Sequence, residues 1–122
     1  MVLSSNTPDA EIYFTLDGSD PNTGSTRFTT PVPISQTTCV RARAYKSGLF
    51  PTNIDTHTYI FVADVVNQSP TGNTPPTPDW PSTNVNGQVI QYGMDPDVTQ
   101  HADYVDLVDD ALLAIPTISL VT

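Results

Sequence analysis

The stretch TCVRARAY, residues 38–45, alternates small or apolar side chains with polar ones. The alternation divides its side chains into two sets, Val40, Ala42 and Ala44 on one face and Arg41, Arg43 and Tyr45 on the other. Successive side chains of an extended chain point to opposite faces, so this period of two predicts a β-strand with one face toward a core and one toward solvent. The neighbouring segments extend this interpretation.

Two more segments of the first half have the composition of β-strands. Residues 11–16, EIYFTL, and residues 56–61, THTYIF, are rich in aromatic and β-branched side chains. Clusters of Gly, Pro, Asp and Asn separate them from residues 38–45 and predict turns. Short strands divided by such turns are typical of a β-sandwich, so we predict a mainly β fold with a sandwich over residues 1–62.

The composition changes after residue 62. Residues 63–84 contain several prolines among Asn, Thr, Ser and Gly, which predicts an extended linker. Residues 85–122 then predict a C-terminal extension of three elements, namely a hairpin with a two-residue Asn86-Gly87 turn, a helix over 99–114 capped by Thr99, and a strand over 117–122.

The charged residues are unevenly distributed. Thirteen acidic residues against four basic ones give a net charge of −9, and residues 62–122 hold eight aspartates but no Lys or Arg. Nucleic acid and an anionic membrane surface are therefore not expected as partners, since both would repel this chain. A single cysteine, Cys39, excludes a disulfide framework within the chain and a cysteine-based zinc site.

Part of the chain resembles a known family of small β domains. The residues that carry the resemblance are YFTLDGSDP at 13–21, VRARA at 40–44 and THTY at 56–59. They are similar to the fibronectin-III-associated sandwich, also called the chitobiase/β-hexosaminidase C-terminal domain, over about residues 1–62. The resemblance implies an immunoglobulin-like or fibronectin-III-like accessory module of a secreted or cell-surface protein of bacterial type. That family has no agreed catalytic residues, so the resemblance assigns none.

A second resemblance lies in the C-terminal third, in NVNGQV at 84–89, YGMDPD at 92–97 and IPTISLVT at 115–122. These residues look like the connector into, and the first strand of, the kinase-like domain of spore coat protein H relatives. The resemblance implies a parent protein that pairs the sandwich with an ATP-dependent kinase-like domain. No nucleotide-binding or catalytic motif of that domain occurs in this sequence, so no kinase activity is predicted for it.

The strongest candidate metal site consists of four residues of the acidic half, Asp95, Asp97, His101 and Asp103. Carboxylates two residues apart can share a cation, and a nearby imidazole can add a nitrogen ligand. The match to a calcium-binding loop is weak, because Gln100 stands where that loop requires glycine. Asp17 and Asp20, in an oxygen-rich turn, form a weaker candidate. The cofactor implied is a divalent cation, calcium first; the alternative is that both segments are solvated acidic loops without an ion.

Partner contacts are predicted from apolar side chains. Tyr45 and Trp80 are candidates for contact with a carbohydrate ligand, although a tryptophan in a linker more often docks back onto its own domain. The predicted helix carries an apolar stripe that continues into the last strand, Val105, Val108, Leu112, Ile115, Ile118 and Leu120. An exposed stripe of this kind favours self-association, which predicts a homodimer through the C-terminal helix and strand.

Three functions remain open at this point. The first is a non-catalytic accessory or spacer module of an extracellular protein, with weak carbohydrate contact. The second is a metal-dependent hydrolase acting on esters or phosphoesters through the Asp/His cluster, with its site at a dimer interface. The third is a structural calcium-binding module. The sequence contains no Gly-x-Ser-x-Gly nucleophile motif and no Gly-rich phosphate loop, which favours the first.

Overall fold

The computed structural model describes residues 1–70, 81 and 83–119, which fall into two compact units, Met1–Tyr59 and Ile60–Leu120. The first unit contains four strands, β1 (Glu11–Thr15), β2 (Thr26–Arg27), β3 (Thr38–Tyr45) and β4 (Asp55–Tyr59). The second contains three short helices, α1 (Val62–Val66), α2 (Pro96–Thr99) and α3 (Val108–Leu113). The fold is mainly β, and it agrees with the β-sandwich-like class predicted from the sequence.

The four strands of the first unit form an antiparallel sheet in the order β2-β1-β3-β4. β3 is a central strand: Ala42 lies opposite Phe14 of β1 on one side and opposite Asp55 of β4 on the other. Residues 38–45, from which the strand was predicted, are its full length.

The core of this unit lies on one face of the sheet. Residues directly opposite each other in an antiparallel pair point to the same face, so Phe14 shares a face with Ala42 and with Val40 two positions along β3. Val40 is 3 % exposed and Phe14 is 5 % exposed. The Phe28 ring meets the Phe14 ring edge-on, with 6.5 Å between centroids. The side chains predicted to face the core, Val40, Ala42 and Ala44, therefore lie on the face of the sheet that contains the core.

The opposite face of β3 is not the wet face that the alternation predicts. The Arg41 side chain is 17 % exposed, and the Tyr45 hydroxyl donates to the Pro21 carbonyl at 3.1 Å. Pro21 itself is fully buried. The chain after β1 folds back over part of this face, so that Arg41, Arg43 and Tyr45 are half-buried, which a strand pattern alone does not reveal.

The element boundaries around the first unit differ from the prediction in two places. β2 is a two-residue strand that the sequence pattern did not indicate. β4 ends at Tyr59, because Phe61 is already the N-terminal flanking residue of α1, Val62–Val66. A helix therefore occupies the start of the predicted linker 63–84. The proline-rich residues 71–80, with Trp80, lie outside the described residues.

The single helix predicted over 99–114 is wrong, since this segment holds the end of α2 and all of α3 with turns between them. Asp95, not Thr99, is the N-cap: its Oδ1 accepts from the Asp97 backbone nitrogen at 2.9 Å, and Pro96 occupies the first helical position. Asp103, Val105 and Asp106, which lie between the two helices, are of residue types with low helix propensity. His101 Nδ1 also accepts from the Asp103 backbone nitrogen at 3.2 Å, a local bond that competes with helix formation.

The predicted hairpin exists, but its loop has three residues instead of two. Thr83 pairs with Val89, and the Asn84 backbone nitrogen donates to the Gln88 carbonyl at 2.9 Å. Gly87 has a φ of 76°, whereas Asn86 does not adopt the left-handed conformation that a two-residue turn of this type requires. Residues 117–119 of the predicted last strand are in no regular element, and residues 120–122 lie outside the described residues.

The predicted apolar stripe is divided by the packing of α3 on α1. Val108 is 7 % exposed, and Leu112 is half-buried. Val105 and Ile115 are exposed. The homodimer through this segment stays a prediction. None of the helices in the described part of the chain is long and apolar enough to cross a membrane.

Replacing Val40 by Ala is expected to destabilise the first unit by about 1–3 kcal/mol, because it removes buried methyl groups and leaves a cavity at the centre of the sheet. Val2→Ala, at a position that is 72 % exposed, is the matched control and should change the free energy of unfolding by less than about 0.5 kcal/mol. Urea denaturation followed by circular dichroism measures both. Equal costs for the two variants would contradict the placement of the core at Val40.

Candidate functional site

The loop that follows β1, residues Asp17–Pro21, is held by its own side chains. Asp17 Oδ1 accepts from the Ser19 backbone nitrogen at 3.0 Å and from Ser19 Oγ at 2.6 Å. Thr15 Oγ1 donates to the Ser19 carbonyl at 2.6 Å. Gly18 has a φ of 80°, a conformation that favours glycine. Together these contacts close a tight turn of the kind that Asp and Ser side chains stabilise.

Arg41 ties this loop to the central strand. Its Nη1 donates to the Gly18 carbonyl at 2.9 Å and lies 2.5 Å from Asp20 Oδ1. Arg41 Nε is buried without a hydrogen-bond partner. Asp20, one of the weaker candidate metal ligands, is thus engaged by a guanidinium, and a cation at this carboxylate would have to compete with Arg41.

The other basic residues also have partners within the first unit. Arg27 contacts Glu11 at 3.0 Å, and the Arg43 Nε donates to the Thr52 carbonyl at 2.6 Å. Lys46 donates to the Pro8 carbonyl at 2.6 Å. All four basic side chains of the protein therefore make intramolecular contacts.

The pKa of the Asp17 carboxyl is lowered, first by the hydrogen bond from the Ser19 hydroxyl and then by the bond from the Ser19 backbone nitrogen. Both bonds favour the ionised form. The pKa of the Tyr13 hydroxyl is raised, chiefly by the 3.0 Å hydrogen bond that it donates to Glu11. At neutral pH these shifts leave Asp17 ionised and Tyr13 protonated.

The four stronger candidate metal ligands are brought together only in pairs. Asp95 and Asp97 share the start of α2, where Asp95 Oδ1 is used as the helix cap. His101 Nδ1 lies 3.8 Å from Asp103 Oδ2, and the His101 ring lies against the Tyr104 ring at 5.0 Å between centroids.

Within residues 1–70, 81 and 83–119, no three His, Cys, Asp or Glu side chains are grouped so that they could hold a metal ion. The divalent-cation site, and with it the metal-dependent hydrolase and the calcium module, stay predictions.

The two candidate residues for contact with a carbohydrate are Tyr45 and Trp80, and the structure describes only Tyr45. Tyr45 packs edge-on against Tyr13, with 5.7 Å between ring centroids, and the Arg43 guanidinium lies 5.8 Å from the centre of the Tyr45 ring. With its hydroxyl on Pro21, Tyr45 serves the packing of the sheet face. Trp80 lies outside the described residues, so its role stays a prediction.

A groove of about 410 Å³ lies on the apolar face of the sheet in the first unit. It is lined by apolar residues of β1 and β3, by polar residues of β4 and by the first five residues, as follows: Ile12, Val40, Ala42, Asp55, His57, Tyr59 and residues 1–5 among others. An apolar surface beside hydroxyl, imidazole and carboxylate groups can accept a small ligand that has both apolar and hydroxyl-bearing faces.

A second groove, of about 630 Å³, lies within the second unit and has a different character. Its lining is rich in carboxamides, Asn67, Gln68, Gln91 and Gln100, and includes Asp95 but not Asp97, His101 or Asp103. Near it the backbone is closely packed, since a Cβ on Gly93 would lie 2.7 Å from the Gln68 carbonyl oxygen. Of the four stronger predicted metal ligands, Asp95 alone therefore lines this groove.

The comparison with known families concerns the first unit. Residues 1–59 match the family model described as Fn3 associated. The match supports a fibronectin-III-associated domain over the part of the chain that carries the sheet and the Asp17–Pro21 loop. No curated protein and no solved structure matches the chain. The resemblance of residues 84–122 to a kinase-like domain has no support in these comparisons and stays a prediction.

Sequence reasoning missed the role of Arg41 and the groove on the sheet. A signal for Arg41 was present, since an arginine in the middle of a strand near an Asp-rich turn has an obvious partner in that turn. The groove gave no signal, because it depends on how residues 1–5 lie across the sheet.

Replacing Ser19 by Ala is expected to raise the pKa of Asp17 toward its ordinary value of 3.8, because the variant removes the hydrogen bond that lowers this pKa most. A carboxyl whose pKa is lowered by folding stabilises the protein above its unfolded pKa, and this contribution is lost as the pH falls through the folded pKa. NMR titration of the Asp17 carboxyl carbon measures the shift. Ser4→Ala is the control, and an unchanged Asp17 pKa in Ser19→Ala would contradict the assignment.

Proposed function

We propose that the protein is a non-catalytic accessory and spacer module of a larger secreted or cell-surface protein. The observation that carries the proposal is a shared C-terminal boundary: the first compact unit and the family match both end at residue 59. A unit with its own sheet and core that ends where the family match ends has the properties of an independent domain.

The arrangement of the ends of this unit supports a role within a longer chain. Residues 1–5 and Tyr59 line the same groove, so both ends of the unit lie on one face of the sheet. The Met1 backbone nitrogen donates to the Val32 carbonyl at 2.6 Å, and the Val32 nitrogen donates to the Met1 carbonyl at 3.0 Å. The first residue of the sequence is therefore hydrogen-bonded to the rest of the unit.

The proposal includes weak contact with carbohydrate at the groove of the first unit. Sugar rings combine apolar faces with hydroxyl edges, and the groove offers both kinds of surface. Tyr59, which is 38 % exposed, contributes an aromatic face and His57 and Asp55 contribute polar groups on the same side of the sheet. This assignment replaces Tyr45 as the preferred contact residue, since Tyr45 is engaged in packing.

The proposal also includes the second resemblance. A kinase-like domain in the parent protein would make residues 84–119 the connector that joins it to the accessory module. The hairpin at Thr83–Val89 and the short helices α2 and α3 are compatible with a connector, and no activity of this chain depends on it.

Brief digestion of the full chain with a protease of broad specificity is expected to leave a resistant fragment that ends near residue 59. Cleavage requires locally unfolded backbone, and the paired strands of the first unit resist opening. Mass spectrometry identifies the fragment. The Val40→Ala variant should release the same fragment and degrade it faster. Cleavage spread evenly through residues 1–59 would contradict an independently folded module.

The carbohydrate contact predicts retention of the full chain on an insoluble polysaccharide such as chitin or peptidoglycan. Tyr59→Ala should weaken retention several-fold, because it removes the aromatic face from the groove. Tyr104→Ala is the matched control, since Tyr104 is 50 % exposed but does not line this groove, and it should leave retention unchanged. Equal retention of both variants and the unmodified chain would overturn the groove as a carbohydrate site, while leaving the result of the proteolysis unaffected.

A further inference from the structure

We infer that Asn86 is a site of spontaneous covalent modification, at which the Gly87 backbone nitrogen displaces the side-chain ammonia of Asn86 and solvent water converts the product to aspartate or isoaspartate. The inference does not depend on the proposed function. It rests on the three-residue hairpin loop Val85-Asn86-Gly87 and on the contacts that hold it.

The chemistry requires no reagent except water and a base from solvent. The Gly87 nitrogen loses its proton and forms a bond to Asn86 Cγ, while the Cγ–Nδ2 bond breaks and ammonia leaves with a proton from solvent. The product is a five-membered cyclic imide. Water then adds to one of its two carbonyl carbons: opening one C–N bond gives aspartate, and opening the other gives isoaspartate. Overall, one water is consumed and one ammonia is released, with no oxidation.

The loop exposes the reacting atoms. Asn86 is exposed, and its side chain makes no hydrogen bond with the described residues. Gly87 has no side chain, and nothing lies within 4 Å of the position where a Cβ would stand, so no side chain at this position hinders the approach of the Asn86 amide to the Gly87 nitrogen. Asn86 is the one asparagine in the sequence that precedes glycine; each of the others precedes a residue with a side chain that hinders this attack.

A second turn of the protein contains the related pair Asp17-Gly18, and its contacts hinder the same ring closure. An aspartate can close the same ring only when its carboxyl is protonated, because hydroxide must leave as water. Asp17 accepts two hydrogen bonds from Ser19, which favour its ionised form. The Gly18 position is backed by Cys39, whose Sγ would lie 3.7 Å from an added Cβ. None of these restraints is present at Asn86.

The hydrogen bonds of Asn84 slow the reaction. The Gly87 nitrogen donates to the Asn84 carbonyl at 3.0 Å, and this bond must open before the nitrogen can attack. The Asn84 side chain keeps the loop closed, since its Oδ1 accepts from the backbone nitrogens of Asn86 at 2.9 Å and Gln88 at 3.0 Å. Asn84 is therefore a positioning residue that sets how often the reactive geometry is reached.

The full chain is incubated at neutral and mildly alkaline pH, and the chymotryptic peptide 62–92, which ends at Tyr92 and contains Asn86, is followed by mass spectrometry with fragmentation. Conversion at Asn86 gives a small mass gain, one added negative charge, and an isoaspartate fraction that an isoaspartyl methyltransferase labels. Asn84→Ala should accelerate conversion by roughly threefold to tenfold, the population change expected from the loss of one to two exposed hydrogen bonds. Asn86→Gln, which keeps the amide and Gly87 but lengthens the side chain, should remain unchanged over the same period.

Four results would overturn the inference. The first is no conversion of the folded chain at times when the same chain reacts in urea, which would mean that the loop blocks the reaction. The second is conversion at Asn84 in place of Asn86. The third is slower conversion in Asn84→Ala, which would show that the Asn84 contacts promote the attack. Gly87→Ala should slow conversion strongly, and an unchanged rate would equally contradict the role of the Gly87 nitrogen.

Discussion

The central strand β3 pairs with β1 along one edge and with β4 along the other, and other parts of the chain partly cover both of its faces. The arrangement of the rest of the first unit follows from these contacts. The β3 backbone pairs with β1 and β4, which places Phe14 beside Val40 in the core. Its polar side chains cannot simply point into water, because the loop after β1 lies over them. Arg41 resolves this conflict by donating to the Gly18 carbonyl and contacting Asp20 at once. A lysine could not meet both groups with the same planar geometry.

Several of the residues that carry the resemblance of the first unit to the fibronectin-III-associated domain also build this covering loop. Thr15, Asp17 and Ser19 bond to one another, Gly18 supplies the left-handed backbone conformation, and Pro21 is buried beneath the Tyr45 hydroxyl. Each is needed by the turn or by the face that the turn covers. The specificity of the pattern is therefore explained by packing and hydrogen bonding, and it gives no reason to regard the Asp17–Pro21 loop as a catalytic centre.

How far the sequence predicted the structure depended on whether an element is determined locally. The strand at 38–45 was predicted over its full length, because its alternation is a property of the segment itself. The hairpin was located but given the wrong loop, since the Asn-Gly pair signals a turn without deciding between two and three residues. The prediction of a single helix over 99–114 was wrong, because it relied on apolar spacing and did not take into account the competing local hydrogen bonds at Asp95 and His101. The sequence identified the residues of the candidate metal site, but it did not reveal that they lie in two separate pairs. That separation depends on where α2 ends and α3 begins.

The acidic second unit has no Lys or Arg with which to balance its aspartates, and the backbone provides part of the compensation. Each of the three helices carries aspartate in its first turn and no basic residue in its last: Asp64 in α1, Asp97 in α2, and Asp109 with Asp110 in α3. Unpaired N–H groups at the start of a helix carry partial positive charge, so carboxylates there are stabilised without a counter-ion. Short helices give more such starts per residue than one long helix does. The division of residues 96–113 into two helices is therefore consistent with the charge that this segment carries, as well as with the packing of Val108.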